Sequence, residues 1–230
     1  MNAAPGDETG RSARQPEGPR PGAPTPSAEP PTHESIADRY RRRADDFEAK
    51  IAAVSAPALW QRASPCADWT ARDVVGHVID MHGVMLRPFR RGLSPAPSLK
   101  TDPLGAFRAA RADVEAVLEN PVLAATPADA PVEGMTAAEH IDQVVSDDLV
   151  VHGWDLARAT GQDSAMHPGD VRRIWEATSQ MPPEELDQLR TPEAFGPGVI
   201  VFGPEVLVPA DAPLPDRLLG MLGRDPHWSA

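Results

Sequence analysis

Four stretches of this chain repeat apolar residues at helical spacing, and three of them open on a recognisable helix-start signal, so the fold is confined to helices packed side by side. Ile36, Tyr40, Phe47, Ile51 and Val54 mark the first, with Arg41, Arg42, Asp45, Asp46 and Glu48 falling mostly between them. The second begins after Thr70, which with Asp73 makes a capping box carrying Asp in place of Glu. It should run from about Ala71 towards Arg87, where Pro88 stops it. Asp102 followed by Pro103 starts the third, whose buried face is Leu104, Phe107, Val114 and Leu118 and whose end is Asn120–Pro121. Thr136 and Glu139 form a full capping box for a long fourth helix, predicted to reach about Ala159 before Gly161 ends it.

Aromatic residues make up only 5% of the chain, so the interior must be filled by Ala, Val, Leu and Ile, which suits closely packed helices. Beyond the fourth helix the elements are short. Val171, Ile174 and Trp175 suggest a helix that yields at Pro182 and Pro183, and Glu184–Leu189 adds a turn or two. Val199–Phe202 and Val206–Val208, inside Gly198–Pro209, predict two short extended pieces, and Arg217–Leu222 a last helix capped by Gly223. Residues 1–33 read as a disordered tail: Met1–Thr32 holds eight prolines and four glycines, and no large apolar residue other than Met1 precedes Ile36. The expectation is therefore one all-α domain over 34–230, a four-helix bundle with extra short C-terminal helices and a small extended or β segment.

A formal net charge of -12 would repel a phosphate backbone over most of the surface, which argues against nucleic acid as a partner. The only cysteine, Cys66, has no second cysteine to pair with, so no disulfide framework is indicated and a reducing cytoplasm fits. No stretch approaches the roughly 18 apolar residues a membrane span needs, and the chain opens on no signal-like segment.

The informative residues are ionisable groups placed where an apolar side chain is expected. On the fourth helix Asp148 lies seven residues after Ile141 and His152 seven after Val145, so both should face inward, and their spacing of four puts them on one face. On the second helix His77 shares a face with Val74, Val78, Met81 and Val84. Taken singly, His77 can be a core histidine bonded to a carbonyl, and Asp148 with His152 a structural ion pair. Burying a carboxylate costs several kcal/mol unless it is paired or bound to a cation, so one acid with two imidazoles on two helices points to a shared divalent metal. Two imidazoles and a carboxylate leave coordination positions open, as catalytic rather than structural zinc sites do. The same three ligands also serve non-haem iron, and an ion that merely stabilises the bundle is a further alternative.

Other candidates have simpler explanations. Asp73 caps its helix, Asp155 can orient an imidazole, His140 lies more than three turns before His152, and His82 points away from His77. Cys66 in its loop reads as inert, and Arg87, Arg90 and Arg91 as a solvated helix end. Phosphate-binding glycine loops, dinucleotide fingerprints, nucleophile elbows and His-Glu-x-x-His motifs are absent.

The run from Ser64 to His77, Ser-Pro-Cys-Ala-Asp-Trp-Thr-Ala-Arg-Asp-Val-Val-Gly-His, resembles the opening motif of the DinB/YfiT-like actinobacterial proteins related to mycothiol-dependent maleylpyruvate isomerase. Asp148-Leu-Val-Val-His152-Gly-Trp-Asp-Leu-Ala-Arg-Ala-Thr-Gly161 is similar to that family's metal-ligand helix. Arg217-Leu-Leu-Gly-Met-Leu-Gly-Arg-Asp-Pro226 resembles the ending of one metal-binding branch. The similarity spans about Glu34 to Pro226. It implies a DinB-like four-helix bundle with a divalent metal, zinc by first choice, held by His77, Asp148 and His152. It also implies mycothiol as a co-substrate and an electrophilic small molecule as the other partner. The isomerase itself carries glutamate where this chain has Asp148, so isomerase, thiol S-transferase and simple metal binder all stay open. Either a monomer or a homodimer is compatible with the motif.

Overall fold

A computed structural model of the protein describes residue 1 and residues 34–128, 134–194 and 201–230. Residues 2–33, which hold nearly all of the expected tail, and Val199 and Ile200 of the first expected extended piece lie outside the described residues. Helix α1 (Ile36–Ala52) opens on Ser35, whose hydroxyl accepts the Asp38 N–H. Helix α2 (Ala71–Met85) opens on the expected box, in which the Asp73 carboxylate accepts the Thr70 N–H at 2.9 Å. Helix α3 (Pro103–Leu118) is capped by Asp102, which accepts the Gly105 N–H at 2.8 Å. A single turn, α4 (Pro121–Ala124), follows on Asn120. Thr136 and Glu139 then start α5 (Ala137–Ile141), which continues through a wider π turn at Asp142–Ser146 into α6 (Asp147–Thr160). Gly161, at a left-handed φ of 74° that suits glycine, ends it. Short helices α7 (Pro168–Ser179), α8 (Pro183–Arg190) and α9 (Leu214–Met221) complete the compact unit Glu34–Ala230.

Helices α1, α3, α2 and α6 touch in that cyclic order, giving the all-α, DinB-like four-helix bundle expected. Tyr40, Phe47, Val78, Phe107, Val145 and Leu156 are fully buried between them. A second apolar cluster, Val151, Val171, Ile174, Leu218 and Leu222, seats α7 and α9 on the outside of α6. With both sides covered, α6 is buried along most of its length, and His152, Asp155 and Thr160 on it lie deep in the protein. The residues expected to extend after Gly203 form no strand; among the described residues Val206 N–H bonds the Gly220 carbonyl at 2.9 Å. No described helix is long and apolar enough to cross a membrane.

The fourth long helix differs from a uniform α-helix in a way that matters for register. A π turn rotates less per residue, so over Asp142–Ser146 a step of four residues stays in phase, and Ile141, Val145 and Leu149 all remain on the core face. The seven-residue relations from Ile141 to Asp148 and from Val145 to His152 both cross this wider turn, and the α-helical phase assumed for them does not apply. The same turn buries Asp142 and Ser146, which α1 satisfies. Arg39 makes a two-pronged pair with Asp142 at 2.9 and 2.7 Å, and Arg173 of α7 joins the same carboxylate. Arg43 is 2% exposed and donates to Ser146 (2.9 Å), Asp147 (2.6 Å) and Asp170 of α7 (2.9 Å).

His82 is wholly buried, with Nδ1–H donating to the Val78 carbonyl at 2.7 Å and Nε2 accepting the Tyr40 hydroxyl at 2.8 Å. Burial pushes its pKa from 6.5 down to about 4, opposed by the Val78 bond. A folded pKa below the unfolded value means stability that is complete above pH 6.5 and is lost as the pH falls towards 4. By pH 5 the loss is about 2 kcal/mol. Urea unfolding at pH 7.5 and 5 should show this decline in the wild type and a shallower one in His82→Gln; parallel declines would refute a neutral buried His82.

Candidate metal centre

The residues Ser64–Thr70 fold into a tight turn closed by Trp69 N–H to the Cys66 carbonyl at 3.1 Å and Ser64 N–H to the Trp69 carbonyl at 2.9 Å. That turn sets Trp69 against the start of α2, and it sets Cys66 against α6. Two turns into α2, His77 faces α6, and there it meets Asp148 and His152. His77 Nε2 is 3.7 Å from Asp148 Oδ2, His152 Nε2 is 4.0 Å from Asp148 Oδ1, and the two imidazole centroids are 4.8 Å apart at 67°. One donor atom from each of the three lies within 4.8 Å of the others. Bonds of 2.0–2.1 Å to a tetrahedral zinc separate ligand atoms by about 3.3–3.5 Å, so these donors stand only slightly wider than an ion requires.

The side chains of His77 and Asp148 are each 28% exposed whereas that of His152 is 6% exposed, so the cluster has a dry back and an open front. Trp69 forms one wall, its ring 4.9 Å from that of His77 and stacked 5.9 Å from that of His152. Behind His152, Nδ1–H donates to Asp155 Oδ2 at 2.9 Å, which leaves Nε2 as the unprotonated nitrogen facing the cluster. Asp155 is fully buried and also accepts from the Cys66 thiol at 3.2 Å and from Arg224 Nη2 at 3.3 Å. Arg224, just past α9, is itself held to the Leu222 carbonyl at 2.8 Å.

The electrostatics follow from these contacts. Burial by itself would raise the Asp155 pKa, but the Arg224 cation and the His152 bond outweigh it and hold the carboxyl at about 2. Burial is likewise outweighed at Asp148 by the neighbouring His77 and His152 imidazoles, so its pKa is lowered. Both acids are carboxylates at neutral pH. Burial, with the Asp155 charge beside it, pushes the Cys66 thiol well above its ordinary range, so it is protonated and a poor nucleophile, as read from the sequence. Cys66, His152 and Asp155 also come together as a possible ligand set. The guanidinium of Arg224 already supplies a positive charge against both Cys66 and Asp155, which fits that side less well to a metal ion.

His77, Asp148 and His152 are thus brought together, and Asp155 stands where an orienting partner is expected. His140 on α5 and the exposed Arg87, Arg90 and Arg91 at the end of α2 are not part of the cluster. Two residues escaped the reading of the sequence as functional groups. Trp69 was legible only as part of the Ser64–His77 motif, and Arg224 only as part of the C-terminal run, because their contacts arise from packing across the whole chain.

The model of the mycothiol maleylpyruvate isomerase N-terminal domain matches residues 40–157, a span that holds most of α1, all of α2 and α3 and nearly all of α6 with the three clustered residues. Two uncharacterized proteins of Mycobacterium tuberculosis, from strains CDC 1551 / Oshkosh and ATCC 25618 / H37Rv, are each 28% identical over 186 residues, covering 80% of this chain and 95% of their own. No solved structure matches the chain. With the match extending over half of its residues, the chain belongs to the mycothiol maleylpyruvate isomerase N-terminal domain family.

Proposed function

We propose that His77, Asp148 and His152 hold a divalent metal, zinc by first choice. On this reading the protein is a metal-dependent enzyme that uses a small thiol, mycothiol by its family, against an electrophilic small molecule. The observation that carries the reading is the Asp155–His152 bond: it commits the Nδ1 proton and leaves Nε2 with a free lone pair beside the Asp148 carboxylate and His77. Family membership supports the thiol chemistry. A bound zinc ion would supply Lewis acidity that makes a thiolate available near neutral pH.

The chain's own residues then have distinct tasks. His77, Asp148 and His152 act as ligands and take no part in proton transfer. Asp155 and Arg224 keep the His152 ring in place, and Trp69 covers the cluster on one side and limits access by water. The thiolate sulfur forms a bond to an electrophilic carbon. In S-transfer that bond is retained and a leaving group or proton balances it; in isomerisation the C–S bond breaks again after rotation about the former double bond. We place the protein in the cytoplasm, where an unpaired Cys66 stays reduced.

The test is a thiol titration followed by calorimetry on metal-loaded protein and on the same protein after chelation, with elemental analysis of both. About one divalent ion per chain, and thiol binding that is lost on chelation and restored by zinc, is the expected result. Thiol binding indifferent to the metal would overturn the proposal, as would a metal whose removal lowers the melting temperature while no thiol binds.

A further inference from the structure

Away from the histidine cluster, α2, α3 and the connecting strap 92–101 border an open-sided cavity of about 260 Å³. Its walls are apolar: Ile79 of α2, Leu93, Pro97 and Leu99 of the strap, and Ala106 and Ala110 of α3 as a floor. Small residues create the space. Gly76 presents no side chain to it, and a Cβ there would stand 3.0 Å from Leu99 Cδ2. The strap is not loose over this cavity. Ser94 gives both its N–H and its hydroxyl to Asp113 at 2.7 Å, while Arg72 donates to the Leu99 and Lys100 carbonyls at 2.9 and 2.6 Å.

Those bonds commit Ser94 and the Leu99 and Lys100 carbonyls of the strap, while one carboxylate on the opposite wall is left over. Asp80, exposed on α2, lines the cavity and has no hydrogen-bond or ion-pair partner among the described residues. This contrasts with the acids around it, since Asp73 caps α2 and Asp113 ties the strap. An apolar chamber with a single uncommitted anion at its wall selects a ligand that has an apolar body and one positive charge. The size suits a ring with a short chain, since a dry cavity of about 150 Å³ already takes benzene. The net charge of -12 favours the approach of a cation and disfavours that of an anion.

We propose that this cavity is a second small-molecule site, for an amine bearing an apolar ring, with its ammonium on Asp80. The site rests on residues that take no part in the histidine cluster and is independent of the metal reading.

The test uses 2-phenylethylamine as the probe, titrated into the full chain at pH 7, with the neutral 2-phenylethanol and the anionic 3-phenylpropanoate alongside. The amine is expected to bind about fivefold more tightly than the alcohol, the contribution of a partly exposed ion pair, and the acid most weakly of the three. Asp80→Asn should bring the amine down to the level of the alcohol. Ala96→Trp, at an exposed strap position lining the cavity, should abolish binding of both without lowering the melting temperature. His152→Ala should bind the amine as the wild type does. Amine binding no tighter than that of the alcohol, unchanged by Asp80→Asn, or surviving Ala96→Trp would each overturn the proposal.

Discussion

His152→Ala protein is expected to leave purification without its divalent ion, and Asp155→Asn to hold the ion about 10–100-fold more weakly than wild type. The first substitution deletes a ligand outright. The second touches no proposed ligand atom, yet it removes the charge that fixes the Nδ1 proton of His152 and that balances Arg224. An asparagine can still accept the imidazole N–H, but it offers Arg224 a neutral partner in a buried place, so ring orientation and basicity both suffer. Competition with a chromophoric chelator gives the affinity, and circular dichroism with a thermal melt shows whether the bundle survives. Equal metal affinity in Asp155→Asn and wild type would mean that Asp155 serves only to neutralise Arg224.

The other large effect lies away from the histidines. Arg43→Ala should destabilise the fold by about 3–5 kcal/mol, because removing one partner of a buried ion cluster leaves the rest uncompensated. Arg43 reaches from α1 to Asp147 and Ser146 at the π turn and to Asp170 of α7, and its side chain is 1% exposed. The two acids will not suffer equally. Asp170 keeps Arg42 at 2.7 Å, whereas Asp147 has Arg43 as its ion-pair partner among the described residues. Burial already pushes the Asp147 pKa up to about 6 in spite of Arg43, so without that cation it should be protonated at neutral pH. Urea denaturation measures the loss, and Arg43→Met, which keeps the apolar stem, should recover part of it. A loss below about 1 kcal/mol would show that the cluster is solvated and contributes as surface pairs do.

Several of the helix starts could be read letter by letter, since capping is a local transaction between residues three apart. Thr70 with Asp73, Asp102 with Gly105, and Thr136 with Glu139 behave as their sequence says. The apolar faces of α1, α2 and α3 were legible for the same reason, a uniform 3.6-residue period. Legibility failed where the period changed. Nothing in Asp142–Ser146 announces a π turn, so the face occupied by Asp142 and Ser146 could not be assigned. His82 could be read only as pointing away from His77, and no local pattern singles out Arg43, although both are buried and bonded.

From the letters alone came an all-helical bundle, the boundaries of its main helices and the three residues His77, Asp148 and His152, because each depends on neighbours within a turn or two, or on a motif resemblance. Packing decided what lies around them. Trp69 reaches the imidazoles, Arg224 reaches Asp155 across 69 positions of chain, and α7 and α9 bury α6 from outside. Such contacts join residues remote in sequence, and which of them form is settled only when the apolar faces of several helices are buried at once; no local pattern records that outcome.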